Sequence, residues 1–530
     1  MTAERLLARL AEPACFPHAP HRVRIVQTHL SVVCLADDVV YKLKKAVTLP
    51  FVDFATLSQR RQACRDEVRL NRRLCPDVYL GTASLRPGPD GVVFAPTGDD
   101  DGPDDLDVAV VMRRLPQERM LDELLRTHGV TTGDMATLAR HVADFHARCE
   151  RPAAAVAPAT PHQLAAFAVD NFTELRAPAL RGLPEPLLAA LEPATRADFA
   201  AILPRLKARA ATGHVVDGHG DLHARNICMT TPPAVYDCIE FAPAFRIGDV
   251  ATEVAFLAMD LRYRGAPRLA ATFVRTYADA RNDAELPLLM PTLCAYRAMV
   301  RAKVAMLAAA EPELPPADRD GARHSAARHL ALAAAYAIET RGPWWLTVCG
   351  PPASGKSRLA AELAAVPKWP WLATDVVRKE LAGIAPTAHA RPEHYSEAFS
   401  RRTYTELLTR ATTRTRAGDR VLLLDGNFPT PAHRQETSAA AAAAGAKLLL
   451  LHVDIDVATA IARARNRATD PAAVSDADPV IAAARHATFL RPTAQEGPLV
   501  VLDGARPTDE LAVAALAAAL AGPRQPAPPL

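Results

Sequence analysis

The alternation of apolar and polar positions along this chain changes its period several times, and each change marks a structural element. Between Arg22 and Lys45, RVRIVQTHLSVVCLADDVVYKLKK contains two β-rich runs around an Ala-Asp-Asp turn, the pattern of a hairpin. From Ser58 to Leu74 the spacing becomes helical, with Ala63, Leu70 and Leu74 in register and Cys75-Pro76 closing the segment. GVVFAP and VAVVMRRL read as two further strands flanking the acidic loop TGDDDGPDDLD, which is expected to be mobile. Beyond Leu115 helical periods dominate. Leu138, Val142 and Phe145 share one face of LARHVADFHARCE, and a Pro/Ala-rich connection follows. A β-rich small lobe thus gives way to a helical one.

Later segments repeat this punctuation. VVDGHGDLHARNICM and AVYDCIEF each read as a short strand with polar residues between them, and Asp249 in RIGDVATEVAFLAMDL begins a helix as an N-terminal acidic residue would, a cap being weighed against a catalytic role. Tyr296, Arg297, Arg301 and Lys303 fall on a helix, CAYRAMVRAKVAMLAA, where Arg297 and Arg301 share a face read as solvated, the alternative being contact with an anionic substrate. EPELPP is a linker, and Asp318 to Thr340 form one long helix. The buried strand WWLTVC then runs through a glycine-containing loop into the helix RLAAELAA, and RVLLLDGNF and KLLLLHVDI are further apolar strands around an Ala-rich helix. The terminal PRQPAPPL is expected to be disordered.

Composition narrows the class. A chain of 530 residues with 49% hydrophobic and 23% charged positions can bury several cores. A formal charge of +3 is no basic excess of the kind that marks nucleic-acid binding, so small-molecule partners are favoured. Nine cysteines with no C-x2-C pair argue against a disulfide framework and a zinc site, and imply buried thiols. No signal-peptide core or run of membrane-spanning length is present, which predicts a cytoplasmic protein without a membrane partner.

Two stretches carry chemistry. Gly350, Gly355, Lys356 and Ser357 fit G-x4-G-K-[ST] between a strand and a helix. In that pattern the loop Gly350, Pro351, Pro352, Ala353, Ser354 and Gly355 wraps nucleotide phosphates, Lys356 reaches the β/γ-phosphates, and the Ser357 hydroxyl binds Mg²⁺. The second stretch separates Asp221 and Asn226 by 5 positions, with Asp237 after a further 11. This is the spacing of a kinase catalytic loop followed by a metal-binding aspartate.

HGDLHARN followed by YDCIEF resembles the aminoglycoside phosphotransferase branch of the protein-kinase-like fold, over about residues 20–335. The resemblance implies that Asp221 is the catalytic aspartate, that Asn226 and Asp237 are metal ligands, and that Lys42 pairs the ATP phosphates with Glu67 as its helix partner. Lys44 is the competing lysine, because period-two alternation gives it the same strand face. Two departures stand out. No G-x-G-x-x-G loop precedes the lysine, leaving Ser31 as the candidate to help close over phosphate, and Asp237 is followed by Cys-Ile rather than Phe-Gly.

In the second half, PWLATDVVRKEL resembles the substrate side of P-loop small-molecule and polynucleotide kinases. There Asp375 would take the acceptor's proton and Arg378 would bind an anionic group, the alternative being a helix cap and a surface arginine. Asp425 ends an apolar strand as a Walker-B-like aspartate orienting Mg²⁺. IARARNRATDPAAVSDADPVI resembles a kinase lid, and of Arg463, Arg465 and Arg467 the first and last share a helical face and are chosen to meet the phosphoryl group. A salt-bridged surface helix is the alternative.

The order of parts resembles bacterial fusions of an aminoglycoside-phosphotransferase-like domain with a P-loop kinase domain. The expected fold is α/β and α+β, a bilobal protein-kinase-like fold at 1–335, then a P-loop NTPase domain at 341–522 with a parallel sheet flanked by helices, then a disordered tail at 523–530. The expected activity is ATP- and Mg²⁺-dependent phosphorylation of small-molecule hydroxyl acceptors at two sites. The alternatives are that one domain is a regulatory ATP-binding module, or that the kinase-like domain is protein-directed.

Overall fold

In the computed structural model the described residues are 3–28, 30–49, 52–88, 91–96, 102, 104–152, 160–385, 388–467 and 478–522. The expectations for the tail at 523–530, the Pro/Ala-rich connection and most of the acidic loop concern residues outside that set. The chain divides into two compact units, Met1–Leu164 with Leu203–Met290, and Ala165–Ile202 with Pro291–Leu530.

The first unit is built on a six-stranded antiparallel sheet of order β1-β2-β3-β8-β6-β7. Its strands are β1 (Val23–Gln27), β2 (Ser31–Ala36), β3 (Val39–Lys44), β6 (Tyr79–Gly88), β7 (Gly91–Pro96) and β8 (Asp107–Arg113), with the two-residue pair β4 (Thr48–Leu49) and β5 (Val52–Asp53) apart from them. The first apolar run therefore splits in two. Thr28 turns the chain by donating its N–H to Ser31 O at 2.8 Å and accepting the Ser31 N–H on Oγ1 at 3.0 Å. The Ala-Asp-Asp turn then joins β2 to β3, with Asp37 at φ +51°. Strand β6 has no counterpart in the sequence reading. Its Gly81, Pro87 and Gly88 weaken strand propensity, and pairing with β7 and β8 on both sides overrides that.

Period-two alternation gives the sheet two apolar faces. Tyr41, Leu43, Leu85 and Phe94 pack with Leu10 from helix α1 (Ala3–Leu10), while Val40, Val108, Val110 and Met112 pack with Cys64 and Val68 from helix α2 (Leu57–Asn71). α2 starts at a capping box in which Thr56 Oγ1 accepts from Gln59 N and Gln59 Oε1 accepts from Thr56 N. The helical remainder of this unit includes Thr132–Arg148, Val250–Tyr263 and Pro267–Arg281, with the short pairs β9 (Val215–Asp217) with β12 (Ile247–Asp249) and β10 (Ile227–Cys228) with β11 (Ala234–Val235) beside them.

The second unit holds a five-stranded parallel sheet of order β14-β15-β13-β16-β17, from β13 (Trp344–Cys349), β14 (Trp371–Ala373), β15 (Val421–Asp425), β16 (Lys447–Asp454) and β17 (Leu499–Asp503). Strands covered on both faces read as continuous apolar runs, and β13 and β15 are buried at every position. The helix Pro316–Arg341 is tied to the residues around this sheet: Trp369 Nε1 donates to Glu339 Oε1 at 2.6 Å, and Arg420 Nε donates to Glu339 O at 3.1 Å. Arg297 is buried and lies over the Tyr296 ring at 5.5 Å, so the solvated face expected there is not present at Arg297. All nine cysteines are buried and none is in a disulfide. Among the described residues no helix is long and apolar enough to cross a membrane.

Candidate active sites

In the first unit Lys42 and Lys44 project from the same face of β3 and both reach Glu67, which α2 places at its buried side. Lys42 Nζ donates to Glu67 Oε1 at 2.9 Å, and Lys44 donates to Glu67 Oε2. The two differ in their second partner. Lys42 also bonds Asp237 Oδ1 at 2.5 Å, whereas Lys44 bonds Glu240. Exposure separates them further: side chains are 16% exposed for Lys42 and 41% for Asp237, against 2% and 5% for Lys44 and Glu240. Only the Lys42 arm opens to solvent. Burial opposes charging Lys42, but Asp237, Glu67 and Glu240 outweigh it and raise its pKa. Burial likewise disfavours the Glu67 carboxylate, yet the two lysines hold its pKa below the ordinary value. Ser31, the residue expected to help close over phosphate, is buried in β2 opposite Lys44.

Asp221 sits on a loop held from several sides. Asn226 Nδ2 donates to Asp221 O at 3.0 Å and to Asp221 Oδ2 at 3.1 Å, and His223 Nε2 lies 3.3 Å from the same Oδ2. Behind the loop, Glu253 Oε1 accepts from His219 N at 2.6 Å and Gly220 N at 2.9 Å. Glu253 Oε2 is 2.9 Å from His146 Nε2, and His146 Nδ1 is 2.7 Å from the Tyr277 hydroxyl. Arg73, in the turn that follows α2, donates to Asp217 O at 2.7 Å and Gly218 O at 2.6 Å, so the chain just beyond the helix that holds the lysines also braces the loop. Asp237 adopts the left-handed region at φ +64°, its N–H bonded to the Tyr79 hydroxyl at 3.2 Å, and Cys238 N donates to Asn71 Oδ1 at 2.9 Å. Asp249 caps the helix Val250–Tyr263 by accepting from Ala251 N at 2.9 Å, as expected of it.

Burial alone would raise the Glu253 pKa, but the His146 bond and its charge lead the groups that bring it down to about 2. A carboxylate depressed in the fold stabilises above its unfolded pKa and loses that stabilisation as pH falls through the folded value. Glu253→Gln is therefore expected to lower the urea midpoint at pH 7, with the deficit shrinking between about pH 4.5 and 2. A pH-independent deficit would count against the carboxylate's role.

In the second unit the loop after β13 is shaped by its glycines. A Cβ on Gly350 would lie 2.6 Å from Val453 O, and Gly350 and Gly355 have φ of +146° and +104°. Lys356 Nζ donates to Pro351 O at 2.7 Å, and the Ser354 Oγ is buried with no hydrogen-bond partner among the described residues. Asp425 ends β15 in register with Val348 and Ala373. Burial pushes its pKa up to about 6 against the Lys356 charge and a Ser357 hydrogen bond, with Asp375 adding to the rise. Lys356, Ser357, Asp375 and Asp425 are thus brought to one place. Arg378 is buried, not the surface arginine of the alternative reading. Its Nη1 donates to His394 O at 2.6 Å and Ser400 Oγ at 3.3 Å, and its guanidinium lies over the Tyr395 ring at 4.7 Å. Arg463 donates to Ser354 O at 3.2 Å and Gly504 O at 2.8 Å. The Arg467 side chain and the turn-rich segment after it lie outside the described residues.

Known proteins match both halves. A family model for the phosphotransferase enzyme family matches residues 52–288, and one for an AAA domain matches 346–492. An uncharacterized protein of Mycobacterium tuberculosis (strain ATCC 25618 / H37Rv) is 31% identical over 419 residues, covering 78% of this chain and 80% of its own length, and one from Mycobacterium bovis gives the same figures. The chain belongs to this family. It carries an aminoglycoside-phosphotransferase-like domain of the protein-kinase-like fold followed by a P-loop kinase-like domain. Among solved structures, choline kinase from Cryptosporidium parvum Iowa II is similar at a TM-score of 0.39 and 11% identity, covering 64% of this chain and 97% of that one. A gluconokinase from Sinorhizobium meliloti 1021 gives 0.26 and 17%, covering 33% and 91%.

Several residues of the first site were not anticipated. Glu240 lies three positions after Asp237, and an acid so close to a metal-ligand candidate is a signal that could have flagged it. Glu253, His146 and Arg73 left no such mark, because each acts on backbone or side chains far away in sequence.

Proposed function

We propose that the chain is an ATP-dependent phosphotransferase acting on small-molecule hydroxyl acceptors, with two sites that use ATP and Mg²⁺. The observation that carries this reading is the solvent-open Lys42 joined to both Glu67 and Asp237, beside a separately braced loop that presents Asp221 with Asn226. The residues present suit the cofactor. Asn226 and Asp237 supply hard oxygen ligands for Mg²⁺ in the first site, and Ser357 and Asp425 do so in the second, where the unpartnered Ser354 hydroxyl and the glycine loop suit phosphate oxygens. Bound MgATP would supply the phosphoryl group and the cation that neutralises its charge.

The protein's own contribution is placement. Lys42, fixed by Glu67, presents an ammonium to phosphate oxygens. Asp221 orients the acceptor hydroxyl and accepts its proton, while Asn226 restrains the Asp221 carboxylate. In the second site Asp375 takes the acceptor's proton and Lys356 carries positive charge toward the β/γ-phosphates. Arg463 pins the loop through Ser354 O. Lys42→Met should weaken nucleotide binding at the first site by about tenfold or more, equivalent to ~1.4 kcal/mol, as read by titration with a nonhydrolysable ATP analogue. Lys44→Met should act chiefly by lowering the unfolding midpoint, because it strands the buried Glu240 carboxylate and leaves Glu67 with Lys42 alone.

A second reading is favoured by Arg378. Its guanidinium is committed to His394, Ser400 and Tyr395, so the second domain would bind nucleotide as a regulatory module without an anionic acceptor. ATP consumption against a metabolite library, with the intact protein beside Asp221→Ala and Lys356→Ala, separates the two. If each change abolishes phosphorylation of a different acceptor, both sites transfer phosphate. If Lys356→Ala is silent for every acceptor, the two-reaction reading is wrong.

A further inference from the structure

The face of α2 opposite Glu67 borders a cleft that the phosphotransfer machinery does not use. Arg65, Arg69 and Arg72 follow one another at i, i+4 and i+7, so they line one helical stripe, while Glu67 and Asn71 lie on the other side. The cleft of about 430 Å³ is lined by those arginines with Val68, Gly81 and Thr82. Its second wall is β6 at a bulge between Tyr79 and Gly81. The bulge turns the Tyr79 and Leu80 carbonyls toward α2, where Arg72 Nε and Nη2 bind them at 2.9 and 2.7 Å. Gly81 is at φ +154° with open space where a Cβ would be.

We propose that this cleft binds a small, multiply charged phosphorylated metabolite, and that its occupancy tightens nucleotide binding at the Lys42 site. Charge favours an anion, since none of the described lining residues is acidic. Asp66 lies beside the stripe, and its Oδ1 accepts from Arg69 Nη2 at 2.9 Å in an exposed pair that a more highly charged ligand outcompetes. Arg72 spends two of its N–H donors on β6 and keeps others for a ligand.

Coupling follows from the walls, and it rests on the reading of the first site as a nucleotide site. α2 carries Glu67, which holds Lys42. β6 begins with Tyr79, whose hydroxyl accepts the N–H of Asp237. A ligand that bridges the arginine stripe to Gly81 and Thr82 therefore fixes Glu67 and Asp237 relative to each other, the two carboxylates that Lys42 joins.

The test uses pyrophosphate as probe and the full chain, first saturated with Mg²⁺ and a nonhydrolysable ATP analogue so that the nucleotide sites are filled. Calorimetric titration of pyrophosphate at low salt should then show binding that weakens at least tenfold in Arg65→Gln/Arg69→Gln, whose circular dichroism and unfolding midpoint stay at the parent values. Equal binding by both proteins, or none, overturns the site. Analogue affinity is next measured with and without a fixed pyrophosphate concentration. Competition at the nucleotide sites is common to both proteins, so a severalfold advantage of the intact chain that appears only with pyrophosphate supports the coupling. The same ratio under both conditions overturns it. Should the analogue fail to bind at all, the nucleotide reading fails, while the pyrophosphate titration still reports on the cleft.

Discussion

Asp221→Ala is expected to slow phosphoryl transfer at the first site by about 10²–10⁴-fold while leaving nucleotide affinity close to the parent value. The split follows from where the groups reside. Asp221 and Asn226 belong to a loop braced by Glu253 from the helix behind it, whereas Lys42 and Glu67 belong to β3 and α2. Truncating Asp221 removes the proposed proton acceptor and one partner of Asn226 Nδ2, which keeps its bond to the Asp221 carbonyl. Nothing that holds Lys42 is touched. Single-turnover transfer to an identified acceptor, measured beside analogue binding, distinguishes the outcomes. An unchanged transfer rate would sink the assignment of Asp221 as base. A parallel loss of nucleotide affinity would show that the loop and the lysine arm act as one unit.

The largest stability effect is expected at Arg209. Its guanidinium is 2% exposed and divides its donors between two carboxylates: Nε and Nη2 bond Asp249 at 2.8 and 2.9 Å, and Nη1 bonds both oxygens of Asp283 at 2.7 Å. Arg209→Met strands both buried acids, with His214 Nε2 at 3.7 Å from Asp283 too distant to replace a hydrogen bond. Removing one partner of such a network costs about 3–5 kcal/mol, since the remaining charges stay buried and unpaired. The urea midpoint of the first unit's transition reports it. A loss under ~1 kcal/mol would mean that water or rearrangement satisfies the acids. Because Asp249 also caps the helix that carries Glu253, the substitution should loosen the Asp221 loop, and transfer should fall even at temperatures where the fold persists.

Which features could be read in advance depended on how far apart the cooperating residues lie. The loop Gly350–Gly355 with Lys356 and Ser357 stood out because its glycines, lysine and serine are contiguous between a strand and a helix, so the pattern is written into one short stretch. Asp221 with Asn226 was legible for the same reason, and so were the apolar strands β13, β15 and β16, whose burial on both faces leaves an unbroken run. Strand β6 was not, because its glycines and proline argue locally against a strand and only pairing on both edges holds it.

Sequence by itself thus determined the order of the two kinase-like parts and the elements with strong periodicity. Tertiary structure decided the rest. It separated Lys42 from Lys44, which period two places on one face, by giving them partners 195 and 196 residues away with unequal access to solvent. It buried Arg297, whose helical face was read as solvated, and Arg378, for which a surface arginine had been the alternative to an anion-binding one. It also put Glu253 and His146 behind the Asp221 loop. Burial and long-range pairing are properties of the packed chain: a charged side chain stays in water unless distant elements supply both the cover and the counter-charge.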